Sequence, residues 1–103
     1  MNITQEQGKT REGIITILSK RNSYEYNLHK ASEELQELSL ILTQKLTKPK
    51  KVSDQSIIDE IGDVEIRLSI LRKLFNSSEI DKRIVQKLKK FQEYVDNESY
   101  KNI

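Results

Sequence analysis

Apolar residues recur along the chain at spacings of three and four, with polar residues between them, and no stretch alternates with the period of two that a strand requires. Leu28, Ala31, Leu35, Leu38, Leu42 and Leu46 form one such stripe, predicting a helix over about 23–46. Ile57, Ile61, Val64, Leu68, Leu71 and Phe75 form a second, widened by Ile58, Ile70 and Leu74, over about 54–75. Ile14, Ile17 and Leu18 mark a shorter helix over about 5–20, for which Thr4 and Gln7 resemble a capping box. Ile80, Ile84, Leu88, Phe91 and Val95 mark a last helix over about 79–95.

Punctuation agrees with this division. The stretch "KRNS" (20–23) reads as a break, with Asn22 and Glu25 placed to cap the next helix. Pro49 disfavours helix at Lys48 and removes a backbone donor, so a short basic turn separates the two long helices. The stretch "NSS" (76–78) is a turn in which Ser77 or Ser78 would cap the last helix, and the tail over 96–103 is expected to fray. The fold class is therefore all-α: a bundle of four helices in one domain, 1–103, with a core over about 24–95. Its two long helices would pack as an antiparallel hairpin.

Length and composition narrow the picture. A chain of 103 residues buries a modest core, and wide apolar stripes on so small a bundle predict a homo-oligomer, dimer or tetramer. The net charge of +2, with acids interleaved among the lysines, argues against nucleic acid and anionic membrane as partners. Lys48, Lys50, Lys51 and the 82–90 run do not form the clustered footprint a nucleic acid would need. The absence of cysteine fits a reducing cytoplasm and excludes thiolate metal sites. No apolar run is long enough to span a bilayer, and the first thirteen residues lack the apolar region of a signal peptide.

Candidate chemistry lies in two acidic pairs. Glu34 and Glu37 are three residues apart on the second helix, and Glu60 and Asp63 are three apart on the third. Each pair projects from the edge of its apolar stripe. In an antiparallel hairpin both pairs fall near mid-helix, so four carboxylates can converge. Charges brought that close repel, and a hard divalent cation with oxygen ligands, Mg²⁺ or Mn²⁺, would neutralise them. Zinc suits the set less, with His29 the single histidine and more than a turn away. Acidic i, i+3 pairs also occur on helix faces that simply meet water, so the residues alone leave both readings open.

The four acids with their surroundings resemble a known signature. "HKASEELQEL" (29–38) is similar to the K-x-x-EE-x-x-EL opening of the MazG-like all-α nucleoside triphosphate pyrophosphatases. "IIDEIGDVEIRLSILRKLF" (57–75) is similar to their second acidic stretch, especially in the short phage and Gram-positive members. The resemblance covers roughly 24–95. It implies hydrolysis of a nucleoside or deoxynucleoside triphosphate to monophosphate and pyrophosphate, by helices that associate as dimers or tetramers. By position, Glu34, Glu37, Glu60 and Asp63 would hold Mg²⁺, with Mn²⁺ able to substitute. Glu33, the doubled acid, would lie behind the ligands or on the surface. Glu37 and Glu60 are the candidate catalytic carboxylates, Glu37 first as general base, with a ligand-only role equally open.

No phosphate-binding loop is present, so phosphate would be held by metal and basic side chains. Lys30, Lys87 and Lys90 are candidates, each also readable as a solvated charge. Tyr24 and Tyr26 are placed to stack on a base, and Asn27 to read its edge or sit on the surface. A helical interaction or nucleotide-binding module without turnover is the alternative function.

Overall fold

The structure, a computed structural model, describes residues 8–99, 101 and 103. Among them it is all-α: α1 (Arg11–Arg21), α2 (Tyr24–Thr47), α3 (Asp54–Leu74) and α4 (Ser77–Asp96), with one 3-10 turn at Pro49–Lys51. No described residue is in a strand.

Each helix starts where a short polar side chain can take up a free backbone N–H. Thr10 Oγ1 accepts from Gly13 at 2.9 Å, Ser23 Oγ from Tyr26 at 3.0 Å, Ser53 Oγ from Ser56 at 3.1 Å and Asn76 Oδ1 from Glu79 at 3.1 Å. These caps correct three expectations. Helix α1 begins at Arg11, after Thr10, and the expected Thr4–Gln7 box lies outside the described residues. Ser23 rather than Asn22 caps α2, because Asn22 closes α1 by donating its backbone N–H to Leu18 O. Asn76 rather than Ser77 or Ser78 caps α4, so both serines fall inside the helix.

The tail is more ordered than expected through Ser99. Ser99 N donates to Tyr94 O at 2.7 Å and Glu98 N to Val95 O at 3.1 Å, with Glu98 at φ 55. That is the paired closure of a left-handed helix C-terminus, built here without glycine.

Helices α2 and α3 pack antiparallel as the stripes predict. Lys45 fastens the turn between them: its Nζ donates to Val52 O at 2.9 Å and pairs with Asp54 at 3.3 Å. Val52 is buried beneath that turn. Helix α1 packs on α3, and the buried Asn27 joins α1 to α2 by donating from Nδ2 to Leu18 O at 3.4 Å. The buried apolar side chains are Ile15, Ala31, Val52, Val64 and Ile70. Ile70, expected only to widen its stripe, is 1% exposed and the most buried of them.

Helix α4 does not close a bundle within the chain. It meets the end of α3, where Arg72 bonds Ser77 Oγ at 3.0 Å and Asp81 at 2.9 Å, and it buries no residue of its own. The radius of gyration is 17.5 Å, against about 13 Å for a compact chain of this length. Much of both long stripes therefore stays open: Leu35, Leu42, Ile61, Leu68 and Phe75 are each more than 40% exposed. One antiparallel partner covers one edge of a wide stripe, and the other edge needs a further layer.

Candidate metal centre

The hairpin brings the acidic pairs together. One carboxylate oxygen from each of Glu34, Glu37 and Glu60 lies within 4.8 Å of the others. Glu34 and Glu60 are partly buried between α2 and α3, and Glu37 is exposed at the rim. The Oε2 atoms of Glu34 and Glu60 are shut off from solvent and accept no hydrogen bond. Buried acceptors without donors are uncommon, and a cation is one way to satisfy them.

The electrostatics agree. Partial burial, followed by the negative charges of Glu37, Asp63 and Glu60, raises the Glu34 carboxyl above its ordinary value. Partial burial, followed by Glu37 and Asp63, raises Glu60 in the same way. The ionised cluster is thus disfavoured by itself and favoured by a bound cation. Its donors are all hard oxygens, which suits Mg²⁺ or Mn²⁺.

Asp63 is the member that stands apart. It acts on Glu34 and Glu60 through its charge, but it is exposed and lies outside the close triad. It also lines an open groove of about 630 Å³ between α1 and α3, walled by Ile14, Ile15, Ile58 and Ile66. Gly62 belongs to the same wall, and a Cβ there would meet nothing within 4 Å.

The candidate substrate residues divide. Lys30 pairs with Glu33 at 3.2 Å and sits over the Tyr26 ring at 5.6 Å. The Glu33 hydrogen bond and charge raise its pKa, with the Arg67 charge acting in the opposite sense. Arg67 is therefore within electrostatic reach of Lys30, and it sits four residues after Asp63 and seven after Glu60 on α3. Sequence reasoning missed Arg67, although that i+4, i+7 spacing was its signal. Glu33 is on the surface, occupied by Lys30.

The other candidates lie as follows. Asn27 is not a surface amide: it is 1% exposed, and its Nδ2 donates to Leu18 O at 3.4 Å. Tyr24 packs one side of its ring against Phe75, centroids 6.1 Å apart, and both Tyr24 and Tyr26 remain about half exposed. Lys87 and Lys90 ride on α4, whose packing contacts within the chain are with α3 beyond the site, and Lys87 lies over Phe91 at 5.7 Å. Among the described residues no helix is long and apolar enough to cross a membrane. Comparison of the chain with protein-family models, with curated proteins and with solved structures finds no match.

Proposed function

We propose that the protein is a Mg²⁺-dependent nucleoside triphosphate pyrophosphohydrolase of the MazG-like kind, working as a homo-oligomer. The observation that carries this reading is the triad of Glu34, Glu37 and Glu60, with two of its oxygens buried and unbonded.

Glu34, Glu37 and Glu60 would hold the ion, with Asp63 at its margin. Bound Mg²⁺ would offset the charge of the phosphate oxygens and of the pyrophosphate leaving group. Lys30 and Arg67, one turn along the same face, would hold the remaining phosphate charge. Tyr26, beside Lys30, offers its ring to the base. Glu37, the exposed member, would accept a proton from the attacking water. Water adds at the α-phosphorus, the bond from that phosphorus to the bridging oxygen breaks, and pyrophosphate leaves with the electron pair. Lys87 and Lys90 would take part only if a neighbouring subunit brought them to the cleft.

The alternative is a nucleotide- or partner-binding module without turnover, favoured by the separation of Asp63 from the triad. Chromatographic analysis of products from each common NTP and dNTP, with Mg²⁺ or with EDTA, separates the two. Monophosphate and pyrophosphate are expected, lost with EDTA and in Glu37→Gln and Glu60→Gln. Folded protein that turns over no nucleotide with Mg²⁺ or Mn²⁺ would exclude the enzyme.

A further inference from the structure

We propose that the groove between α1 and α3 receives the base of the nucleotide and selects bases that carry an exocyclic amino group, cytosine, adenine and guanine, over uracil and thymine. This rests on the nucleotide reading above and adds to it which nucleotides the protein prefers.

The groove and the metal centre share a residue. Asp63 lines the groove, and its charge acts on Glu34 and Glu60 of the triad. A nucleotide held by its phosphates at the triad therefore has two places for its base. One is the half-exposed Tyr26 ring on α2, and the other is the groove on the α3 side. An open aromatic ring stacks on any base and chooses none. The groove has edges that can choose.

Its shape suits a flat ring. The volume, about 630 Å³, is within the range of small-molecule sites. On α3, Asp59, Gly62, Asp63 and Ile66 follow at i, i+3, i+4 and i+7 and share one lane. Ile58, Gly62 and Glu65 form the lane beside it. Gly62 belongs to both, so the middle of the α3 wall carries no side chain, and the space where its Cβ would stand is open. Ile14 and Ile15 supply the α1 wall. Aliphatic walls take the faces of a ring and leave its edge to the polar groups.

Those polar groups are mostly acceptors. Three carboxylates line the groove, Asp59, Asp63 and Glu65, against one guanidinium, Arg11. Among the described residues none of Arg11, Asp63 and Glu65 belongs to an ion pair. Asp59 is steadied by Gln55, whose Nε2 donates to Oδ1 at 2.8 Å, and its other oxygen faces no such donor. An ionised carboxylate only accepts hydrogen bonds. The exocyclic amino groups of cytosine, adenine and guanine donate, whereas uracil and thymine present carbonyl oxygens at their edges. A carbonyl against a carboxylate sets acceptor on acceptor. Arg11 can serve the ring carbonyl that cytosine and guanine also carry.

The test compares kcat/KM of the full chain with Mg²⁺ for dCTP, dATP, dGTP, dTTP and dUTP. The amino-bearing nucleotides are expected to exceed dTTP and dUTP by about tenfold, the worth of one hydrogen bond to a charged acceptor. Asp59→Asn with Glu65→Gln places donors among the acceptors. It is expected to raise kcat/KM for dTTP and dUTP and to lower it for dCTP. Equal values for all the nucleotides, or a preference that this double variant leaves unchanged, overturns the proposal. Gly62→Leu fills the middle of the groove with a good helix former. It is expected to raise KM for dCTP several-fold with the Mg²⁺-dependent shift of the melt unchanged, and an unaltered KM overturns the proposal. Tyr26→Ala is expected to keep the ratio of dCTP to dTTP, and loss of the ratio there assigns the choice to Tyr26 and overturns the groove. If no nucleotide turns over, the enzyme reading fails by itself and calorimetry with dCMP and dTMP decides. Tighter binding of dCMP, lost in Gly62→Leu, is expected, and no binding of dCMP, or dTMP bound as tightly, overturns the selection.

Discussion

Asn27 shows how one side chain can read as a recognition group and serve the fold. It is buried at the α1–α2 junction, where its amide spans nine residues of sequence to reach Leu18 O. Asn27→Ala removes that bond and leaves Leu18 O with the Asn22 N–H alone, which costs about 0.5–1.5 kcal/mol. Thermal melts should show the loss, with the Mg²⁺ affinity of the remaining folded protein unchanged. Glu34 carries the opposite kind of information. Its carboxyl is raised above 4.5, so in metal-free protein the folded state holds a proton that the unfolded state releases. The associated stability is fully present below 4.5 and is lost as pH rises through the folded value. Glu34→Gln keeps the shape and removes the titration. The melting temperature of metal-free wild type should therefore fall relative to Glu34→Gln as pH rises above 4.5, and parallel curves would contradict the burial of this group.

At the scale of elements, two positions are suboptimal in ways that predict gains. Gly62 lies inside α3 with open space where a Cβ would stand, so Gly62→Ala should stabilise by about 0.5–1 kcal/mol through helix propensity. Glu98 adopts a left-handed backbone at the close of α4, and Glu98→Gly should relieve about 1 kcal/mol. Chemical denaturation measures both, and a loss at either position would mean that its side chain makes contacts a second chain supplies. The elements themselves were legible because each stripe has a 3.6-residue period and each is bounded by Ser, Asn or Pro. Their first residues were less so. At "RNS" and "NSS" several adjacent side chains could cap, and the choice of Ser23 and Asn76 depends on which backbone turns extended.

At the scale of the molecule, the acidic cluster should couple metal to stability. Mg²⁺ at a hundredfold excess over its dissociation constant should stabilise the folded state by about 2.7 kcal/mol by mass action. EDTA should reverse the shift, and Glu60→Gln should abolish it. Scanning calorimetry with and without Mg²⁺ tests this without reference to turnover, and an unchanged melt would show that the cluster holds no such ion. Because the site lies between α2 and α3, metal should also slow amide exchange at mid-helix in both, more than in α4.

The order of stripes and breakers by itself determined the all-α class, the four helices and the hairpin, since these follow from periodicity and from residues that act on their own backbone. It also placed Glu34, Glu37, Glu60 and Asp63 at mid-helix beside the seam. Only the tertiary structure decided which of them meet. Three carboxylates come within 4.8 Å of one another and Asp63 stays outside that distance, because convergence depends on the rotation of two helices about their own axes. The same rotation buries Ile70, sets Arg67 within electrostatic reach of Lys30, and leaves Leu35, Leu42, Ile61 and Leu68 more than 40% exposed. Periodicity showed that α4 has an apolar face but not what lies against it, because a stripe records the need for a partner and carries no direction toward one.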